Sequence, residues 1–155
     1  MMALPLCNLS AQNTYVADTL QADGYLRIVA PTLNNLFALV QMEQGQFEEL
    51  LQSHGYSPNT REAKGTYKKE SFQATYNIHK NKYGVEFYFS TMVGSLVSLK
   101  AEIKKRFPAA KLSGGGTDIE NYDIEEQSAS GKHVYMLNIN SENGSSTFIN
   151  LMKLY

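Results

Sequence analysis

The sequence predicts an α+β domain in which two copies of a helix followed by three strands build one antiparallel sheet, with the helices on one face. Three observations carry that expectation. Two segments, around residues 33–51 and 93–107, place apolar residues at helical spacing. Each is followed by stretches in which apolar and polar residues alternate, as in strands with one buried side. Helices that precede runs of half-buried strands, instead of alternating with single strands, favour segregated layers and an antiparallel sheet.

Composition narrows the class. The 155 residues suit one domain with its own core, and 43% of them are apolar. With 14 basic residues against 15 acidic ones and a net charge of −1, there is no field for a polyanion, so no nucleic-acid partner is expected. No apolar run approaches the roughly 18 residues of a membrane-crossing helix, so no transmembrane segment is expected either.

Residues 1–11, Met-Met-Ala-Leu-Pro-Leu-Cys-Asn-Leu-Ser-Ala, carry no charge and pass from apolar to small before the polar Gln12. They read as a signal-peptide remnant cut after Ala11, although the usual positive start is missing and the first basic residue is Arg27. A buried first strand is the competing reading. Cys7 is the single cysteine, and Leu6 before it is too large for a lipoprotein site. Cleavage would remove every disulfide, thiolate nucleophile and thiolate metal ligand from the mature chain. Export without disulfides points to a bacterial periplasm, envelope or secreted location. Residues 12–155 then form the domain, with one copy over about 31–90 and the other over about 91–155.

In chain order, a short strand is expected at Tyr25–Val29. Pro31 and Thr32 open a helix in which Leu33, Leu36, Phe37 and Val40 share a face. Gly45 is expected to break it, and Phe47, Leu50 and Leu51 extend the stripe, as two short helices or one kinked one. Gly55 should end it in the left-handed conformation, with Tyr56 folded back onto the stripe. After a weaker strand near Gly65–Glu70, Phe72, Ala74, Tyr76 and Ile78 alternate with polar Gln73, Thr75, Asn77 and His79. Asn81-Lys82-Tyr83-Gly84 turns the chain into Val85, Phe87 and Phe89, which alternate with Glu86 and Tyr88. The second helix is expected from about Val93 to Phe107. Its inward residues would be Val93, Leu96, Val97, Leu99, Ile103 and Phe107, its basic end Lys104–Arg106 and its stop Pro108. Gly114–Gly116 then links to strands near Ile119–Glu126, His133–Asn140 and Thr147–Leu154, with Asn143-Gly144 as the last hairpin turn.

The two halves also correspond at a few positions, at low identity. Tyr67-Lys68-Lys69-Glu70 corresponds to Tyr122-Asp123-Ile124-Glu125, Asn77-Ile78 to Asn138-Ile139, and Gly84 to Gly144, with extra length at Ser128–Gly131 in the second copy. The run Lys104-Lys105-Arg106-Phe107-Pro108-Ala109-Ala110-Lys111, followed by Tyr122–Glu125, Gly131–Tyr135 and Asn143-Gly144, resembles a PepSY-like repeat. That family sets a helix ending in an aromatic-proline step before a three-stranded meander. The doubled arrangement is similar to β-lactamase-inhibitor-like proteins. The likeness spans about residues 93–152 and, more weakly, 33–90, where Gly55-Tyr56 stands in place of the proline step. It implies a non-catalytic secreted or envelope module that binds or inhibits a protein partner.

The residues themselves offer little catalytic chemistry. His54, His79 and His133 are far apart and lack metal-ligand spacing, so no metal is expected. There is no G-x-S-x-G, and the triple glycine is followed by Thr117-Asp118 instead of a phosphate-loop Gly-Lys-Ser/Thr, so no cofactor is expected. A hydrolase with an unrecognised site is the alternative. Suppose the helices cover the sheet face carrying Tyr76, Ile78, Val85, Phe87, Phe89, Tyr135, Leu137 and Ile139. The opposite face then shows Asn77, Glu86, Tyr88, Val134, Met136, Asn138, Phe148 and Met152, together with Thr75 and Asn150. A solvated face should be mainly polar. This mixture of aromatic, methionine and asparagine side chains suits an interface, so these are the candidate binding residues, for a protein partner or for self-association. A covering amino-terminal segment is the competing reading.

Overall fold

The computed structural model describes residues 15–24, 26–91, 95–113, 119–141 and 145–154. A hairpin of β1 (Thr19–Ala22) and β2 (Leu26–Val29) leads into helices α1 (Leu33–Gln41) and α2 (Gln44–Ser53). Four strands follow: β3 (Ser57–Pro58), β4 (Thr66–Glu70), β5 (Thr75–Lys80) and β6 (Gly84–Phe89). Helix α3 (Ser95–Arg106) precedes four more: β7 (Lys111–Leu112), β8 (Ile119–Ser128), β9 (Gly131–Asn140) and β10 (Thr147–Lys153). The chain is α+β, as expected, and the last eight strands form one antiparallel sheet in the order β3-β4-β5-β6-β10-β9-β8-β7. Each half supplies four strands, not three. The extra pieces, β3 and β7, are two-residue edges, too short for period-2 alternation to reveal.

The sheet is organised around β6 and β10, which pair across Phe87↔Ile149, Glu86↔Asn150 and Tyr88↔Phe148. Gly84 allows that pairing at one end. A Cβ there would stand 2.3 Å from the Leu151 carbonyl oxygen, on backbone that cannot yield without breaking the ladder. On one face Tyr76, Ile78, Val85, Phe87, Phe89, Tyr135, Leu137, Ile139, Ile149 and Leu151 are buried. α1 packs against β6, β10 and α3 from that side, with the Phe37 ring 5.0 Å from Tyr135, edge-on. α2 brings Phe47 against Tyr67 of β4 at 5.9 Å, and α3 contributes Leu96, Leu99 and Ile103 to the same core.

Local chemistry sets the helix limits. Thr32 caps α1, its hydroxyl accepting from the Asn35 amide at 3.2 Å and donating to Asp18 at 2.9 Å. The break between α1 and α2 falls at Met42–Glu43, where both residues take extended backbone, and the Gln46 side chain reaches back to the Glu43 amide. Gly45, expected to be the breaker, lies inside α2, because capping at Glu43 outweighs the modest helical cost of one glycine. Gly55 does take the left-handed conformation, with φ at 81°, and Tyr56 does fold back. Its hydroxyl accepts from the Val29 amide at 3.1 Å, and burial pushes the phenol well above its usual range.

Three further expectations are corrected. Phe72, read as an inward strand residue, is fully exposed, because Ser71–Ala74 is a turn closed by the Ser71 amide on the Ala74 carbonyl and β5 begins only at Thr75. Val97, read as inward, is 78% exposed, so the α3 stripe is narrower than the apolar pattern suggested. β1 was not anticipated, and it turns the lone strand near Val29 into a hairpin. Tyr25, Val93, Gly114–Gly116, Asn143-Gly144 and the whole of residues 1–11 lie outside the described residues.

Polar groups enter the core only where they are satisfied. Asn35 is completely buried in α1: its oxygen accepts from the Tyr15 hydroxyl at 2.6 Å and the Asp18 amide at 3.0 Å, and its nitrogen donates to the carbonyls of Asp18 and Ala30. Asn35→Ala would take the acceptor from the Tyr15 hydroxyl and the Asp18 amide, while the Asp18 and Ala30 carbonyls keep the amides of Ala30 and Thr32, and should cost about 3 kcal/mol in urea denaturation; a loss below about 1 kcal/mol would show that water takes over the amide's role. On β8, Glu120 accepts from the Tyr122 hydroxyl at 2.5 Å and pairs with Lys100 of α3 at 3.0 Å. Burial alone would raise its pKa, but the Tyr122 and Lys100 hydrogen bonds and the charges of Lys100 and Lys104 outweigh it and hold the carboxyl below its ordinary 4.5. A depressed folded pKa stabilises above the ordinary carboxylate range, and that stabilisation is lost as pH falls through the folded value. The wild-type melting temperature should therefore drop between pH 5 and pH 3 by more than that of Glu120→Gln. The difference will be modest, because the Lys100 and Glu120 side chains are 38% and 28% exposed.

Candidate binding face

The candidate site is built by strand pairing alone. Across β4, β5, β6, β10, β9 and β8, the register aligns Lys68, Asn77, Tyr88, Phe148, Asn140 and Ile119 in one row. The adjoining row is Thr66, His79, Glu86, Asn150, Asn138 and Asn121. A third holds Gly84, Met152, Met136 and Asp123. All eight residues expected from the sequence, Asn77, Glu86, Tyr88, Val134, Met136, Asn138, Phe148 and Met152, therefore occupy one face, opposite the buried set. Each keeps part of its surface in water, and Tyr88 is 43% exposed.

The middle row is knit by side-chain hydrogen bonds. Asn150 donates to Glu86 Oε1 at 3.0 Å, Asn138 donates to Asn121 Oδ1, and Asn59 reaches in to donate to Asn77 Oδ1 at 3.0 Å. The Thr66 hydroxyl donates to the Ala63 carbonyl at 2.7 Å and lies 3.0 Å from His79 Nδ1. A hydroxyl has one proton to give, so with that proton on Ala63 it is Nδ1 that donates to Thr66. Among the described residues, Asn150 Oδ1 is enclosed without any donor.

The structure divides the expected set. Asn77, Glu86, Tyr88 and Phe148 line a cleft of about 480 Å³, joined by Thr66, His79, Glu62 and Ala63. Val134 lies instead in a larger hollow of about 720 Å³ near the opposite edge of the sheet, with Phe107, Pro108, Lys111, Asp123 and the ion-paired Lys132 and Glu125. Met136, Asn138 and Met152 line neither. Sequence reading passed over His79 as a lone histidine, yet it follows Asn77 by two positions and alternation alone puts it on this face. Thr66 could have been found the same way on β4. Nothing in the sequence marks Glu62 and Ala63, which reach the cleft from the loop before β4.

Displaced titration marks the other face. Tyr76 is raised to about 12 by burial and then by Asp23, which accepts its hydroxyl at 2.9 Å, and Tyr122 to about 12 by burial and then by Glu120. Burial lowers the pKa of Lys80, which donates to the Val40 carbonyl at the end of α1, with Glu43 opposing the shift. These groups tie helices and hairpin to the sheet. Among the described residues, no three His, Cys, Asp or Glu side chains gather as a metal site, and no helix is long and apolar enough to cross a membrane. Comparison with protein-family models, with curated proteins and with solved structures gives no match.

Proposed function

We propose that the chain is a non-catalytic binding module, working in the bacterial envelope, in the periplasm or outside the cell, and that the uncovered sheet face holds a protein partner or a second copy. One observation carries the reading. At the centre of an eight-stranded sheet, Tyr88, Phe148, Met136 and Met152 stand partly exposed on three adjacent strands beside Asn77 and Asn138. Aromatic and methionine side chains are the groups that gain most from losing water at an interface, and asparagines adapt their hydrogen bonds to what arrives. Nothing on this face requires a metal or cofactor.

The same reading takes the fold as two copies of one unit, with all helices on the face opposite the interface. In its support, each four-strand meander follows helical segments, and the fourth strands of the two, β6 and β10, meet antiparallel. Tyr67 and Tyr122 stand on the second strand of each unit and both are buried; Asn77 and Asn138 stand on the third and both face outward. The PepSY-like resemblance implies a helix before a three-stranded meander, and each unit here carries one short edge strand more. The exported location rests on the uncharged, small-ending residues 1–11.

Replacing Tyr88 and Phe148 together by alanine tests the surface. Association with captured envelope proteins, or with a second copy in sedimentation velocity, should weaken by about 2 kcal/mol or more. The melting temperature should shift by only a few degrees, since partly exposed positions contribute little to stability. A large drop in melting with association unchanged would make these residues core and overturn the proposal. So would a wild-type chain that neither self-associates nor captures anything.

A further inference from the structure

We propose that the cleft beside Tyr88 and Phe148 is a receptor for a guanidinium group, presented by an arginine side chain of the partner protein. The inference rests on the binding-face reading above and deepens it. The polar atoms the cleft offers are mainly acceptors. One Glu86 oxygen is held by Asn150, so the carboxylate is fixed in place while its second oxygen has no partner among the described residues. With Nδ1 turned to Thr66, the His79 ring presents Nε2 to the cleft, without a partner among the described residues. Glu62 adds a second carboxylate at the rim.

The balance of charge points the same way. Two carboxylates line the cleft and no lysine or arginine does. Lys68, next to Asn77 across the register, is held by Glu70 at 2.8 Å. A ligand that matches this wall is a cation with several donors. The two rings choose between cations: Tyr88 and Phe148 are register partners on adjacent strands and give flat apolar surface beside the acceptors. A guanidinium is planar, weakly hydrated and forked, so it can lie on a ring while its edge donates to a carboxylate and a ring nitrogen. An ammonium also donates hydrogen bonds, but it is compact and strongly hydrated and has no flat face to lay on a ring.

The test uses the full chain, with N-acetyl-arginine amide as probe and N-acetyl-citrulline amide as its neutral isostere, followed by amide-resolved NMR titration. The arginine probe should give saturable shifts at His79, Glu86, Tyr88 and Phe148, and citrulline should bind at least about tenfold more weakly, the scale of a charge-assisted hydrogen bond. Glu86→Gln, which keeps an oxygen for Asn150, should weaken arginine binding by a similar factor and remove most of its salt dependence. Equal binding of citrulline, absence of saturable shifts at the cleft, or arginine binding unchanged in Glu86→Gln would overturn the assignment. The partner-association assay separates the two levels. If Glu86→Gln retains the partner while the Tyr88/Phe148 double alanine variant loses it, the guanidinium assignment is wrong and the binding face stands. If both variants retain the partner, the face reading fails with it.

Discussion

The period of two along the β6–β10 pair is the constraint from which the other features descend. In an antiparallel ladder, neighbouring residues on one strand point to opposite sides, so burying Phe87 against Ile149 forces Glu86, Asn150, Tyr88 and Phe148 to the other face. A slip of one residue would send the pair's core side chains into water and bring a carboxylate and an amide, Glu86 and Asn150, into the core. The fully buried Val85, Phe87, Phe89, Ile149 and Leu151 hold the register. Gly84 makes it sterically possible at the strand's start. The composition of the outer face is thus tied to the core, because alternation assigns to it every strand residue the core does not use.

A second layer of order comes from polar groups that join elements distant in sequence. Lys69, on β4, donates at 2.7 Å to the carbonyls of both Arg27 and His54, so one ammonium ties the amino-terminal hairpin to the end of α2. His54 follows the last turn of α2, where a cation opposes the helix's negative end. Asp23, in the hairpin turn with φ at 45°, accepts from Tyr76 and Ser71 and so fastens the other end of the hairpin to the sheet. Asn35 does the same for the segment before β1. Each of these groups lies away from the binding face, and their displaced pKa values, where they occur, record burial and anchoring.

On the outer face of the sheet the polar groups are arranged differently. The pairs Asn150–Glu86 and Asn138–Asn121 run between strands within one row, which orients each side chain without filling its capacity. Among the described residues, one Glu86 oxygen and Asn150 Oδ1 have no partner. Partly satisfied networks are expensive inside a core. Their presence here, beside exposed aromatic surface, is the physical difference between this face and its opposite.

Much of this was legible in the sequence, for one reason: alternation and helical spacing are local. Both helical regions, the left-handed Gly55, the inward Tyr56, all six of the long sheet strands to within two or three residues, and the membership of the open face follow from side-chain periodicity over a few residues. Where local patterns competed with hydrogen bonds from outside the segment, the tertiary structure decided. Phe72 fits the strand pattern but is excluded by the Ser71 turn, and Gly45 looks like a breaker but is overridden by the Glu43 cap. The edge strands β3 and β7 exist only because β4 and β8 offer them backbone partners. The cleft itself could not be read from the chain, because it needs β4 beside β5, β6 beside β10 and the Glu62 loop folded over their edge. Periodicity says which way a side chain points; only the pairing of strands far apart in sequence says what stands next to it.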